Sequence, residues 1–170
     1  AGKLQKNQIG QAGGGQKKIG AKLQEMQDIL ANRREDSLSR LVKKLKETER
    51  ELKDLTERQK GLQKQLKATA ANPNEAERKR QLKRLTEQQR KLQQETERLA
   101  RKLQRLRAQR ASSKASSAAG KMGEAGKQSQ GGDGQKAEKA AADALKDLED
   151  AAQDLADARR QAEVELAQEQ

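Results

Sequence analysis

The chain has 170 residues, 38% of them charged and 31% hydrophobic, with a formal net charge of +12. It contains no aromatic residue, no Cys and no His. These absences exclude disulfides, thiol nucleophiles, the usual catalytic triads and soft-metal sites, and they argue against a large globular core. No run approaches 18 apolar residues, so no transmembrane helix is expected. We therefore expect neither an enzyme nor a cofactor.

The first segment, residues 1–20, is rich in Gly, Gln and Lys, and it includes Gly13-Gly14-Gly15. Because glycine opposes helix formation, we expect a flexible or loosely helical tail. The start at Ala1-Gly2-Lys3 does not resemble a natural initiation site, which suggests a fragment or a processed chain.

Residues 21–36 are predicted to form a short amphipathic helix. Its apolar positions are Leu23, Met26, Ile29 and Leu30. Their phase does not join cleanly to that of Leu38, so a kink or break is expected within residues 32–36.

Residues 37–110 carry the strongest pattern, a 3-4 alternation of apolar positions held for about five heptads in each of two arms. One position of the first arm is Leu38, Leu45, Leu52, Gln59 and Leu66, and the other is Leu41, Thr48, Leu55, Leu62 and Thr69. The second arm has Leu85, Leu92, Leu99 and Leu106, with Leu82, Gln89, Thr96, Leu103 and Arg110. The pattern predicts an all-α fold: an elongated antiparallel coiled-coil hairpin with flanking short helices.

The turn of this hairpin is predicted at residues 72–74, because the heptad phase changes across Pro73 and proline removes a helix hydrogen-bond donor. Asn72 or Asn74 is expected to cap the second arm. Because the two arms are equal in length, we expect them to pair antiparallel, with Gln59 opposite Leu92 and Leu62 opposite Gln89. Whether two arms or a four-helix dimer forms is left open.

After the hairpin, residues 111–134 are rich in Ser, Ala and Gly and are either a linker or a small-residue helix, with a turn at 131–134. Residues 135–170 are predicted to form an acidic, Ala-rich helix, and the two segments are candidates for a second, smaller hairpin. The carboxylates of the acidic helix are expected to form a polar face or meet a basic partner rather than bind hard cations.

Charge gives the only candidate binding site. Four cations of the second arm recur every seven residues, namely Arg84, Lys91, Arg98 and Arg105. A cationic row suits a polyanion, although i,i+4 pairs such as Glu87 with Lys91 are also typical of an ordinary solvated helix. Without aromatic residues there is no platform on which bases stack.

Two stretches show resemblances. The segment LKETERELKDLTERQKGLQKQL and its counterpart in the second arm resemble the arms of SMC-type and other long bacterial coiled-coil proteins. Residues 121–170 are similar to the Gln/Ala-rich helical regions of large, uncharacterised, membrane-anchored bacterial proteins. The second resemblance implies a scaffolding role in a bacterial envelope context. The expected localisation is the bacterial cell envelope or the cytoplasm.

The sequence thus favours a structural coiled-coil spacer or protein-interaction scaffold module that engages helical protein partners or itself. The alternative is a basic hairpin that binds nucleic acid or another polyanion without sequence specificity. A third class, a disordered protectant of the kind that accumulates on desiccation, is disfavoured by the regular heptads.

Overall fold

The computed structural model describes the backbone of residues 2–169 and the side chains of residues 18–169. Within these bounds the fold is all-α, with no strand. The helices are α1 (Gly2–Ala70), α2 (Glu75–Arg105), α3 (Gln109–Gln130) and α4 (Gly134–Glu169). Each helix packs against the next and α4 packs back against α1, so the four helices close into a bundle. Such short connections make successive helices antiparallel.

The packing of α1 on α2 is compatible with the predicted helical hairpin. Lys102 of α2 pairs with Glu51 of α1 at 2.6 Å, and Arg58 of α1 pairs with Glu95 of α2. The heptad positions form the interior of this half. Those buried are Leu45, Thr48, Leu52, Leu55, Gln59, Leu62, Leu66, Thr69, Leu82, Leu85, Gln89, Leu92, Thr96, Leu99 and Leu103.

The connection between α1 and α2 contains Asn72, Pro73 and Asn74. Asn74 is the N-cap, since its side chain accepts the Glu77 N–H at 3.1 Å. Asn72 instead accepts the Asn74 N–H at 2.9 Å, within the turn. Of the two candidate caps, the one next to the helix satisfies the free donors of its first turn.

The other half of the bundle has a core of small residues. Residues 109–130 are helical, so the segment left open as linker or helix is a helix. Its buried positions, with those of α4, are mostly alanine. They include Ala111, Ala115, Ala118, Ala125, Ala137, Ala141, Ala144 and Ala151, together with Met122, Leu148 and Leu155.

These two helices do not flank the hairpin separately, as the predicted architecture had it; they pack along it. A hydrogen bond from the Ser112 hydroxyl to the Ala100 carbonyl, at 2.9 Å, ties α3 to α2. Arg159 of α4 pairs with Glu49 of α1 at 2.8 Å. The heptad pattern identifies one seam per helix, but in a bundle each helix contacts two neighbours and buries a wider face.

The C-terminal ends of α2 and α3 close in the same way. Arg107 and Gly132 have positive φ, 60° and 83°. In both turns the next residue donates its N–H to the carbonyl five residues back, a Schellman cap. Asp133 then caps α4 by accepting the Lys136 N–H at 3.0 Å.

The break expected within residues 32–36 is not observed, because α1 runs without interruption from Gly2 to Ala70. The tail expected at 1–20 and the separate helix expected at 21–36 accordingly lie, from Gly2 on, within α1. The apparent phase change has a simple explanation. Eleven residues make slightly more than three whole helical turns, so Ile19, Leu30 and Leu41 lie on one face of a straight helix.

Candidate interaction surfaces

An apolar face of α1 lies outside the bundle. Arg34 pairs with Glu169, the last residue of α4, at 3.0 Å, and every described side chain from Lys18 to Arg34 is exposed. The apolar ones there are between 45% and 61% exposed: Ile19, Leu23, Met26, Ile29 and Leu30. We call these five side chains the α1 apolar face.

This face continues the surface of α1 that packs in the bundle. At about 100° per residue, Ile19, Leu23, Met26 and Leu30 fall within an arc of roughly 60°, and Ile29 lies roughly 60° beyond it on the same side of the helix. Leu41 follows Leu30 by eleven residues on the same side and packs against the bundle core. The α1 apolar face is therefore the part of a continuous stripe that the other three helices leave exposed.

The predicted cationic row is exposed along its whole length. Arg84, Lys91, Arg98 and Arg105 are all exposed, and none makes an ion pair with another described residue. Arg98 and Arg105 also line a hollow of about 630 Å³ between α1 and α2.

Four further cations share the outer side of α2 and were missed by the search for a strict seven-residue repeat: Arg80, Lys83, Arg90 and Arg101. They occupy the two heptad positions next to the row. These four cations are identified by the charge composition of the whole outer side of α2, rather than by the residues at one heptad position.

Unlike the cations of this row, carboxylates that lie between neighbouring helices form ion pairs. Hydrogen bonds donated by Arg58 are the main cause that holds the pKa of Glu95 below its usual value. Glu163 accepts ion pairs from Lys46 at 2.9 Å and from Arg159 at 2.7 Å, and these hydrogen bonds lower its pKa as well.

Two of the acids predicted for the polar face of the last helix pair with cations of α3. Asp147 pairs with Lys121 of α3 at 2.8 Å and accepts a hydrogen bond from Ser117, and Asp150 pairs with Lys114 at 2.9 Å. Within the described residues no group of three or more Asp or Glu side chains is arranged to hold a metal ion.

A groove of about 1040 Å³ runs between α2 and α3. Its α3 wall carries Gly120, Gly123 and Gly126, and a Cβ on Gly123 would lie 3.1 Å from Gln93 Oε1. A side chain at Gly123 would therefore displace the flexible end of Gln93, whereas Gly120 and Gly126 face open space. The groove is lined by charges of both signs, with Lys83 and Arg90 beside Glu87 and Glu124, so it does not select one ligand charge.

No helix in residues 2–169 combines the length and the apolar character that crossing a bilayer requires. No protein-family model, curated protein or solved structure matches this chain. Assignment of a function therefore depends on the two exposed surfaces, the α1 apolar face and the outer side of α2.

Proposed function

We propose that the chain is a structural coiled-coil spacer and protein-interaction scaffold module, in which α1 and α2 form an elongated antiparallel coiled coil. The observation that carries the proposal is the α1 apolar face. Five large apolar side chains on one side of a helix have no counterpart elsewhere on the described surface, where Val164, at 57% exposure, is the only other exposed large apolar side chain. Contiguous exposed apolar surface of this kind marks an interaction site. The bacterial setting implied by the resemblances belongs to the same proposal.

The occupant that we propose for this face is the same face of a second copy. Paired antiparallel about a two-fold axis, Leu23 of one copy lies opposite Met26 of the other, and Ile19 lies opposite Leu30. A two-fold interface needs only one self-complementary surface. Lys22 and Glu25 lie on the same flank of the stripe, so this arrangement places opposite charges across the interface. It also continues the stripe that α1 already buries in its own bundle.

The expected association is weak. Because these side chains are already about half covered, pairing contributes roughly 1 kcal/mol for each of the ten apolar side chains. The loss of translational and rotational freedom on association opposes this gain by about 4–15 kcal/mol. Dissociation constants in the micromolar range or weaker are therefore expected.

Sedimentation velocity and equilibrium from about 10 µM to 1 mM test this proposal. We expect a monomer–dimer equilibrium in the wild type, and a monomer throughout when Leu23→Gln is combined with Leu30→Gln. Ala21→Gln with Asn32→Gln is the matched control, because it adds two glutamines to the opposite side of the same segment and should leave the equilibrium unchanged.

Two results would count against the proposal. One is a wild-type chain that stays monomeric across the whole range. The other is a dimer that survives Leu23→Gln with Leu30→Gln, since that result would place the interface elsewhere.

A further inference from the structure

The outer side of α2 has an accumulation of cations that the fold does not use. Eight basic side chains are exposed there, and in the described part of the chain none forms an ion pair: Arg80, Lys83, Arg84, Arg90, Lys91, Arg98, Arg101 and Arg105. We call this set the α2 cationic face. By contrast, cations that lie between neighbouring helices pair with carboxylates, as Lys102 does with Glu51 and Lys114 with Asp150.

The acids of α2 neutralise little of this charge. Glu75 pairs with Lys79 and Glu95 with Arg58, both outside the cationic face, and the charge of Arg98 within the face contributes less than Arg58 does to the lowered pKa of Glu95. Glu77 accepts a hydrogen bond from Gln81, and Glu97 accepts one from Gln93. Glu87 lies among the cations without an ion pair or hydrogen bond in the described residues, and Glu124 of α3 lines the groove beside Lys83 and Arg90.

The length and chemistry of the face indicate its ligand. From Arg80 to Arg105 it extends about 37 Å along the helix, longer than any small anion. Six of the eight cations are arginine, whose planar guanidinium matches phosphate oxygens in bidentate geometry. Double-stranded nucleic acid presents a phosphate charge about every 1.7 Å along its axis, so several cations can be satisfied together.

We propose that the α2 cationic face binds the phosphate backbone of double-stranded nucleic acid without reading its sequence. A duplex is favoured over a single strand because the chain has no aromatic side chain on which unpaired bases stack. At about 100° per residue, the eight cations span roughly a third of the helix circumference, so the face can contact two phosphate rows rather than one. This surface is separate from the α1 apolar face and is independent of self-association.

The test is binding of a labelled duplex across a salt series. If about four phosphates are contacted, the logarithm of affinity falls with the logarithm of salt at a slope of roughly −3.6, or about 10²-fold between 50 and 200 mM. Replacing Arg84, Lys91, Arg98 and Arg105 together by glutamine should reduce the slope by roughly 3 and weaken binding at low salt by at least about tenfold.

The control variant removes the same charge from α1. Lys43, Lys53, Lys60 and Lys67 are exposed cations without an ion pair in the described residues, and their joint replacement by glutamine gives the same net charge. This variant should retain a slope close to that of the wild type. Equal losses in both variants would show that only net charge matters, and would overturn the α2 cationic face as a site.

Two further arms identify the ligand class. A labelled single strand of the same sequence should bind at least about tenfold more weakly than the duplex, since it offers fewer phosphates at fixed spacing. Polyglutamate should compete poorly, because it is a flexible chain with about half the linear charge density of a duplex, roughly one charge per 3.3–3.6 Å when extended. Equal affinity for single strand and duplex, or efficient competition by polyglutamate, would overturn the assignment to double-stranded nucleic acid. So would absence of duplex binding at 50 mM salt.

Discussion

Asp147 is the one charged side chain among the described residues that lies buried, at 6% exposure. Burial raises the pKa of this carboxyl, but the hydrogen bonds from Lys121 and Ser117 outweigh it, so that the pKa lies below its usual value. The groups that pair with this carboxylate, Ser117 and Lys121, both belong to α3. It thus connects two helices whose alanine cores offer little apolar area.

Replacing this aspartate by asparagine should lower stability at neutral pH by about 1–3 kcal/mol, since the ion pair and a charge-assisted hydrogen bond are lost. A depressed pKa in the folded state means that the carboxylate contributes stability above about pH 3.9, its unfolded value, and that this contribution disappears as the pH falls through the folded pKa. Asp147→Asn should therefore lose less stability than the wild type on acidification below about pH 4.

Urea unfolding at a series of pH values measures this difference. Asp143→Asn provides the control, because Asp143 lies one helical turn away, is exposed, and has no ion pair in the described residues. Stabilities of wild type and Asp147→Asn that fall in parallel in acid would contradict the assigned role.

At the scale of the helices, a buried amide layer connects three of them. The Gln89 side chain of α2 donates its Nε2–H to Gln59 Oε1 at 2.9 Å, and Gln59 of α1 donates to the Ala141 carbonyl of α4 at 2.9 Å. Both glutamines are almost completely buried. Gln89 Oε1 has no hydrogen-bond partner among the described residues, so this layer costs stability.

Substituting both glutamines by leucine should therefore raise the free energy of unfolding, by about 1–2 kcal/mol, because the unsatisfied oxygen and the desolvated amides are removed together. Gln59→Leu alone should be destabilising by about 1–3 kcal/mol, since it leaves the whole Gln89 amide buried without its partner. A double-mutant cycle followed by chemical unfolding checks the order. If Gln59→Leu alone were as stable as the double variant, the two amides would not act as a pair.

The sequence predicted best what local periodicity determines. The heptads of Leu45–Leu66 and Leu82–Leu103, the turn around Pro73 and the helix that begins near residue 135 are each set by the spacing of a few residues. The predicted layers place Gln59 opposite Leu92 and Leu62 opposite Gln89, each glutamine facing a leucine. In the structure the two glutamine side chains are hydrogen-bonded to each other.

What periodicity did not predict is which helices close the bundle. Alanine does not distinguish the buried side of a helix from the exposed side in a sequence pattern. The alanine-rich sequences of α3 and α4 therefore gave little indication that these helices pack on α1 and α2. The exposed position of Leu23 and Met26 was also invisible, because an apolar stripe has the same spacing whether or not a partner covers it. Continuity of α1 depended on an eleven-residue spacing, which a seven-residue template misses.

Across the whole molecule, a leucine-rich half and an alanine-rich half share one interior. The buried side chains of α1, α2, α3 and α4 belong to a single connected cluster. The α1–α2 half contributes most of the large side chains, so the alanine half has too little apolar area to remain folded alone. Loss of the leucine seam should thus unfold all four helices together rather than release α3 and α4 as an intact pair.

The combination of Leu55→Asp with Leu92→Asp tests this coupling. Each change places a carboxylate in a position that is at most 5% exposed. Together the two changes should lower the free energy of unfolding by more than the whole stability of a typical domain, which is about 5–15 kcal/mol. Circular dichroism should show loss of helix well beyond residues 37–105. Lys53→Asp with Lys91→Asp is the matched control, since it introduces the same residue at exposed positions of the same two helices. Retention of the helical signal expected for residues 109–169 in the leucine variant would mean that the second helical pair folds independently, because its alanine interface would then suffice without the seam.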